Sequence, residues 1–300
     1  MSRHTDSAAT PADTSSLRGG PLWRYGGKSL TAARIVPHFA RTPLWCEPFF
    51  GAGSVFYHLA SDAYQRAAVN DLDRSLMTFF RVLRDRADDL VRACELTPYS
   101  RDEFIACLER SVDDMEEARR VWVRGRQGFA GKARTAGDWG RPDATHWYPS
   151  NAEAKLQALR AYASRLRGVA IDSVDAVEFV DKWGHAGAFI YCDPPYVAAS
   201  RSGEDYEHEM DDEAHRRLAV ALHAAISRGA RAAVSGYPSA LYDETFRGWR
   251  RVEVDVPLLG TRDAQGQRRT EVLWMSYPEH EAMGYSRQRS LFDLLAGGAR

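Results

Sequence analysis

The residues best equipped for chemistry lie at Tyr191-Cys-Asp-Pro-Pro-Tyr196. The apolar run 188–192 before them reads as a buried strand. In an open α/β sheet, ligands bind beyond the carboxyl ends of the strands, so an Asp at that place projects into a cleft. Two successive prolines fix φ and remove two N–H donors. The carbonyls of Asp193 and Pro194 are then held in a rigid turn, free to accept. A carboxylate beside a fixed carbonyl forms an acceptor pair suited to an –NH2 group. Tyr196 adds a flat face on which a nucleobase can stack, worth about 1–3 kcal/mol. Asp-Pro alone is a common loop turn. The full motif after an apolar strand favours the functional reading.

Three further segments carry weaker signals. Glu47-Pro-Phe-Phe-Gly-Ala-Gly-Ser54 follows a short apolar run and opens a helix. Gly51 and Gly53 permit a tight turn and close backbone approach to a ligand, although the spacing is not the dinucleotide fingerprint. Asn70-Asp71-Leu-Asp73 ends the next strand, where an acidic residue commonly holds ribose hydroxyls. Read locally, Asp73 is better explained as a helix N-cap, and Asp71 is balanced between the two roles. In Tyr25-Gly-Gly-Lys28, the glycines let the chain pass close to a ligand and Lys28 can reach a carboxylate. The phosphate-loop spacing is absent.

The elements that must position these residues alternate. A helix is expected over 31–40, a strand over 44–47, and a helix capped by Ser54 running to about residue 59. A strand follows over 67–70 and a helix over 74–84, with Leu76, Phe79, Phe80 and Leu83 on one face. Residues 85–165 break the alternation. They are mostly helical and charged, and the stretch 119–149 reads as a Gly-rich loop, the alternative for 119–126 being the solvated face of a helix that packs Val121 and Trp122 inside. Alternation resumes with a strand over 169–172 and a helix over 176–183, then the strand 188–192. A helix over 213–227 and a strand over 230–235 follow. Residues 249–257 and 270–277 read as a hairpin. The expected fold is α/β: a Rossmann-like, doubly wound parallel sheet with an inserted, mostly helical domain. The expected division is a tail (1–20), a discontinuous catalytic domain (21–84 and 166–278), an insertion (85–165) and a C-terminal tail (279–300).

Composition sets the class. The chain has 300 residues, a 44% hydrophobic fraction and a formal net charge of −1. It therefore has apolar material for a sizeable core, and it is not a protein that coats nucleic acid along its length. No run of about 18 apolar residues reads as a membrane span, and the polar start lacks a secretory h-region. Cys46, Cys94, Cys107 and Cys192 form no CxxC pair, so free thiols, a cytoplasmic location and no metal site are expected.

Taken in order, the motifs resemble the D12 class of DNA adenine-N6 methyltransferases, most closely the phage and prophage branch, from about Pro21 to Pro278. Arg126-Gln-Gly-Phe129, Val234-Ser-Gly-Tyr237 and Arg269-Thr-Glu-Val-Leu-Trp274 add to the likeness. The resemblance implies methyl transfer from S-adenosylmethionine to adenine N6 in double-stranded DNA. Asp193, Pro194, Pro195 and Tyr196 are then the catalytic motif. Trp23, Arg24, Tyr25, Gly26, Gly27, Lys28, Glu47, Phe49, Gly51, Gly53, Asp71, Asp175 and Asp193 are expected at the cofactor. The family often has an aromatic residue four before the motif lysine; Arg24 stands there, with Trp23 one step earlier. The insertion is expected to recognise DNA through Arg124, Arg126, Gln127, Lys132 and Arg134, from a loop. A cytosine-N4, RNA or protein-glutamine methyltransferase uses related chemistry, and a degenerate methylase kept as a DNA-binding module is the non-enzymatic alternative.

Overall fold

Short apolar runs make the sheet. In the computed structural model, β1 (Leu44–Glu47), β2 (Arg66–Asn70), β3 (Ala170–Asp172), β4 (Ala188–Cys192), β5 (Arg231–Gly236), β6 (Arg250–Pro257) and β7 (Arg268–Met275) form one sheet in the order β3-β2-β1-β4-β5-β7-β6. The first five are parallel, with Leu44 beside both Arg66 and Ala188. β7 runs antiparallel to β5 and closes the hairpin with β6. The structure describes residue 17 and residues 19–23, 27–128, 133–140, 152–195, 210–257 and 268–284. Most of the expected N-terminal tail and all but the start of the C-terminal one lie outside the described residues. So do Arg24, Tyr25, Gly26, Lys132 and Tyr196.

Both faces of the sheet are covered, as parallel strands require. Trp45, Val69, Phe189, Tyr191, Leu273 and Met275 point to one core. Cys46, Ala68, Ile190, Cys192, Val234 and Trp274 alternate with them and point to the other. On the second face lie α7 (Ala176–Trp183), α8 (Asp212–Ser227) and α9 (Ala240–Thr245). The first face takes α1 (Ala32–Ile35), α2 (Arg74–Asp85), α3 (Ala87–Glu95), α5 (Asp114–Gln127) and α6 (Ala152–Arg165). Between α3 and α5, α4 (Arg101–Ala106) joins a small separate core of Phe104, Cys107 and Val123. The helices of 85–165 thus share an apolar core with the sheet. All four cysteines are free and buried, and burial pushes the thiols of Cys46, Cys94 and Cys107 up to about 12.

Three local expectations are corrected. The helix expected over 31–40 breaks into α1 and flanking 3-10 turns, with Pro37 removing a donor from the second turn. Ser54 caps nothing; its Oγ meets Ser29 Oγ at 3.1 Å, and the segment after it forms only a 3-10 turn, Phe56–His58. Residues 119–127 are helix, not loop. Asp113 caps α5 by accepting from Glu116 N, its first turn is acidic, and Ala118, Val121 and Trp122 are buried. Gly125 persuaded the sequence reading otherwise. A Cβ there would make ordinary contacts, 3.6 Å from Leu22 Cδ2 and from the Trp23 carbonyl oxygen, so the helix does not require a glycine at this place.

Candidate active site

The strand order reverses between β1 and β4, whose chains leave in opposite lateral directions. A crevice opens at such a point beyond the carboxyl ends. The turn after β1 and the Asp-Pro-Pro turn after β4 meet there, so the topology brings together motifs about 140 residues apart in sequence.

The β1 turn is built for close approach. Gly51 and Gly53 have φ of +51° and +71°. A Cβ on Gly53 would come within 2.8 Å of Phe50 Cζ and 2.9 Å of Tyr57 Cε2, whereas one on Gly51 would meet nothing within 4 Å among the described residues. Gly51 therefore borders open space. Its N–H donates to Asp71 Oδ2 at 2.8 Å, and Asp71 Oδ1 accepts from Asp73 N at 3.0 Å. Asp73 is the cap of α2, accepting from Leu76 N at 3.1 Å. Asn70 locks the neighbouring loops. Its amide donates to the carbonyls of Pro48 and Val174 at 3.0 and 3.1 Å and accepts from Val174 N at 2.9 Å. Ser173 Oγ donates to the Asp71 carbonyl at 2.9 Å. Asp175 caps α7 through Val177 N, and Phe49 packs half-buried against the second core.

The β4 turn carries the charges. Lys28, at the start of a 3-10 turn after Gly27, is 5% exposed. Its Nζ lies 2.7 Å from Asp193 Oδ1 and 3.0 Å from Glu271 Oε1 on β7. Ser235 on β5 donates to the same Asp193 Oδ1 at 2.9 Å, and the Tyr191 hydroxyl meets Ser235 Oγ at 2.9 Å. One carboxylate oxygen of Asp193 is thereby held from two sides. Burial raises the Glu271 carboxyl, with Lys28 opposing and Asp193 reinforcing the shift. Ser235 and Glu271 were not singled out as site residues from sequence. The only signal was their place in the segments 234–237 and 269–274, because the order β4-β5-β7 is a property of the sheet.

Glu47 is almost fully buried at the end of β1, accepting from Trp45 Nε1 at 3.1 Å. Burial first, then the neighbouring Asp193 and Asp71, push its carboxyl well above the ordinary range. An acid with a raised folded pKa stabilises below its unfolded pKa and loses that contribution as pH rises through the folded value. Glu47→Gln keeps the acceptor to Trp45. Its melting temperature should match the wild type near about pH 4 and exceed it increasingly towards about pH 8. A difference that stays flat with pH would remove the strained-carboxylate reading.

The residues expected at DNA separate. Arg124 reaches the Cys107 carbonyl at 2.7 Å and pairs with buried Glu117 at 2.8 Å. Gln127 is 5% exposed and donates to the Pro98 carbonyl at 2.9 Å. Arg126 Nη2 donates to the Pro21 carbonyl at 2.8 Å and its guanidinium lies 4.6 Å from the Trp122 ring centroid. These three are engaged inside the protein, which corrects the exposed-loop expectation for them. Arg134 is exposed, in a turn whose backbone N–H groups bind Asp138. Trp23 is half exposed.

Comparison with known proteins bears on this arrangement. The family described as D12 class N6 adenine-specific DNA methyltransferase matches residues 25–255. A Type II methyltransferase, M1.LlaDCHI of Lactococcus lactis subsp. cremoris, is 24% identical over 249 residues, covering 77% of this chain and 85% of that protein. The DNA N-6-adenine-methyltransferase of Escherichia phage P1 is 25% identical over 239 residues, 74% of this chain and 31% of that one. The DNA adenine methylase of Escherichia coli K12 is 27% identical over 188 residues, 58% of this chain and 64% of that one.

Proposed function

This chain belongs to the D12 class of N6 adenine-specific DNA methyltransferases, and from that premise we propose that Asp193 prepares the adenine amine while the β1 turn and Asp71 hold S-adenosylmethionine, the methyl donor. The observation that carries the reading is Asp193 itself. It stands at the carboxyl end of β4, at the point where strand order reverses, with Oδ1 held by Lys28 and Ser235. Its second oxygen is then left to face a substrate.

The residues present fit the donor. Gly51 borders open space at a positive φ, which lets a ligand lie against backbone. Asp71 follows the end of β2, where ribose hydroxyls are commonly held, and the N–H groups of Gly51 and Asp73 fix the orientation of its carboxylate. Glu47, Phe49, Gly53 and Asp175 line or brace the same turns, and Lys28 neutralises the acid beside it. When bound, S-adenosylmethionine supplies an electrophilic methyl group on sulfur.

The chain's task is to make a poor nucleophile competent. The adenine amine delocalises its lone pair into the ring. Acceptors on its hydrogens, Asp193 and the Pro194 carbonyl, draw the nitrogen towards tetrahedral geometry and free the lone pair. Bound S-adenosylmethionine would supply the methyl group that the amine takes up, and the Asp193 carboxylate would carry away the amine's surplus proton. The rest is alignment and preorganised charge. The base is unreachable inside a duplex and must be flipped out, with Tyr196 as its stacking partner. We assign DNA recognition to residues 85–165. Exposed Arg134 is suited to a phosphate or base edge, while Arg124 and Gln127 support that surface from inside.

The direct test is transfer of labelled methyl to DNA, RNA and protein in parallel, with the DNA product digested and read for N6-methyladenine. Label on RNA or protein alone would reject the reading. A second test isolates the donor site. Asp71→Ala should weaken S-adenosylmethionine binding by about tenfold or more in calorimetry, since a charged acceptor is lost. Because Asp73 caps α2, a loss of melting temperature with unchanged affinity would mean that Asp71 only shapes the turn.

A further inference from the structure

Residues 19–23 lie along the β1 turn as a strap, and α5 and α6 hold them. Leu17 and Leu22 are buried in the first core. Gly20 lies so tightly on the turn that a Cβ there would stand 1.7 Å from the Ala52 carbonyl oxygen. Further along the chain, Ser29 Oγ meets Ser54 Oγ and Lys28 pairs with Asp193. Two cations grip it from the opposite side. Lys155 on α6 donates to the Gly20 carbonyl at 2.8 Å and to the Tyr162 hydroxyl at 2.9 Å. Arg126 on α5 donates to the Pro21 carbonyl at 2.8 Å.

Both cations sit at a cost. Burial lowers the Lys155 ammonium to about 8, with Arg126 adding to the shift, and lowers the Arg126 guanidinium to about 10. Among the described residues neither pairs with a carboxylate. Packing alone would be served better by apolar side chains of the same size, because buried charge without a counter-charge is destabilising. What the cations do provide is two directed donors, aimed at two consecutive carbonyls of one segment.

We propose that Arg126 and Lys155 are positioning residues through which the helical insertion seats the 19–23 strap on the glycine turn and so sets cofactor affinity. The proposal rests on the reading of that turn as the S-adenosylmethionine site. It makes the insertion part of the donor site as well as the DNA site, and it gives Arg126 a role other than base reading. The two sites are then linked through one segment, and what orders α5 and α6 tightens the strap.

The test uses the full chain and four proteins: wild type, Arg126→Met, Lys155→Met and Gly20→Ala. The methionine variants keep an apolar stem and lose the donors. Gly20→Ala lifts the strap from the turn while both cations keep their donors, so it keeps the idea testable if a methionine variant does not fold. S-adenosylmethionine affinity is measured by calorimetry, DNA affinity at several salt concentrations, and KM and kcat under steady state. All three variants should bind the cofactor about tenfold more weakly. KM for the cofactor should rise more than kcat falls, with DNA affinity and its salt slope unchanged. A purely structural role predicts lower melting temperatures with wild-type cofactor affinity, and that result overturns the proposal. So does a reduced DNA salt slope with cofactor binding intact, which would return Arg126 to the DNA surface. Wild type failing to bind S-adenosylmethionine would instead overturn the underlying site assignment, and the proposal with it.

Discussion

Asp193→Ala is expected to lower methyl transfer to DNA by about a thousandfold or more, the scale of losing a preorganised group that acts on developing charge. The fold should survive. Asp193 sits at the rim of the crevice, 18% exposed, and contributes no apolar packing. Its removal leaves Lys28 with Glu271 as a counter-ion 3.0 Å away, so the buried ammonium is not stranded. Cofactor affinity should change far less than the rate, which separates chemistry from binding. Asp193→Asn sharpens the argument. Its single amide oxygen can face Lys28 and Ser235 or the adenine amine, but not both, so its loss should fall between wild type and Ala. Single-turnover transfer of labelled methyl measures these rates. An Ala variant with near-normal turnover would remove Asp193 from the mechanism.

The strands, their order of appearance and the residues at their carboxyl ends were legible because they are written locally. An apolar run of four or five residues, followed by Gly-x-Gly or Asp-Pro-Pro, marks both a strand and where it stops. Asp73 as a cap was legible for the same reason. Ser235 and Glu271 were not. Each reaches Asp193 or Lys28 only because β5 and β7 lie next to one another beside β4, and no local pattern records that adjacency. Asn70 was read as half of an acidic motif, yet its bonds tie the β1 turn to the loop after β3, at a separation of 104 residues. The stretch 119–127 misled in the opposite direction. Glycines among arginines have loop texture, but α5 buries Val121 and Trp122 and uses its arginines to hold carbonyls and Glu117. Tertiary contact decided what composition could not.

Lys28→Met should cost about 3–5 kcal/mol, the scale of breaking a buried ion pair from one side, and should also reduce methyl transfer severely. Lys28 is the shared counter-charge of Asp193 and Glu271, and Glu271 is only 3% exposed. Without it, two carboxylates face one another in a poorly solvated place, and Glu271, already raised by burial, loses the charge that opposes the rise. The sign of the pH effect follows. An acid whose folded pKa is raised stabilises below its unfolded value and loses that contribution as pH rises through the folded one. The deficit of Lys28→Met should therefore be smaller near about pH 5 than near about pH 8. The double variant Lys28→Met/Glu271→Gln separates stability from catalysis. Removing both charges of the buried pair should restore much of the melting temperature, giving a large coupling energy in a double-mutant cycle. Activity should stay low, because Asp193 Oδ1 has lost the ammonium that fixes it at 2.7 Å and keeps only Ser235. Were the double variant to recover both stability and turnover, Lys28 would be a structural counter-ion alone, and the orientation of Asp193 would have to come from Ser235 and the Pro-Pro turn.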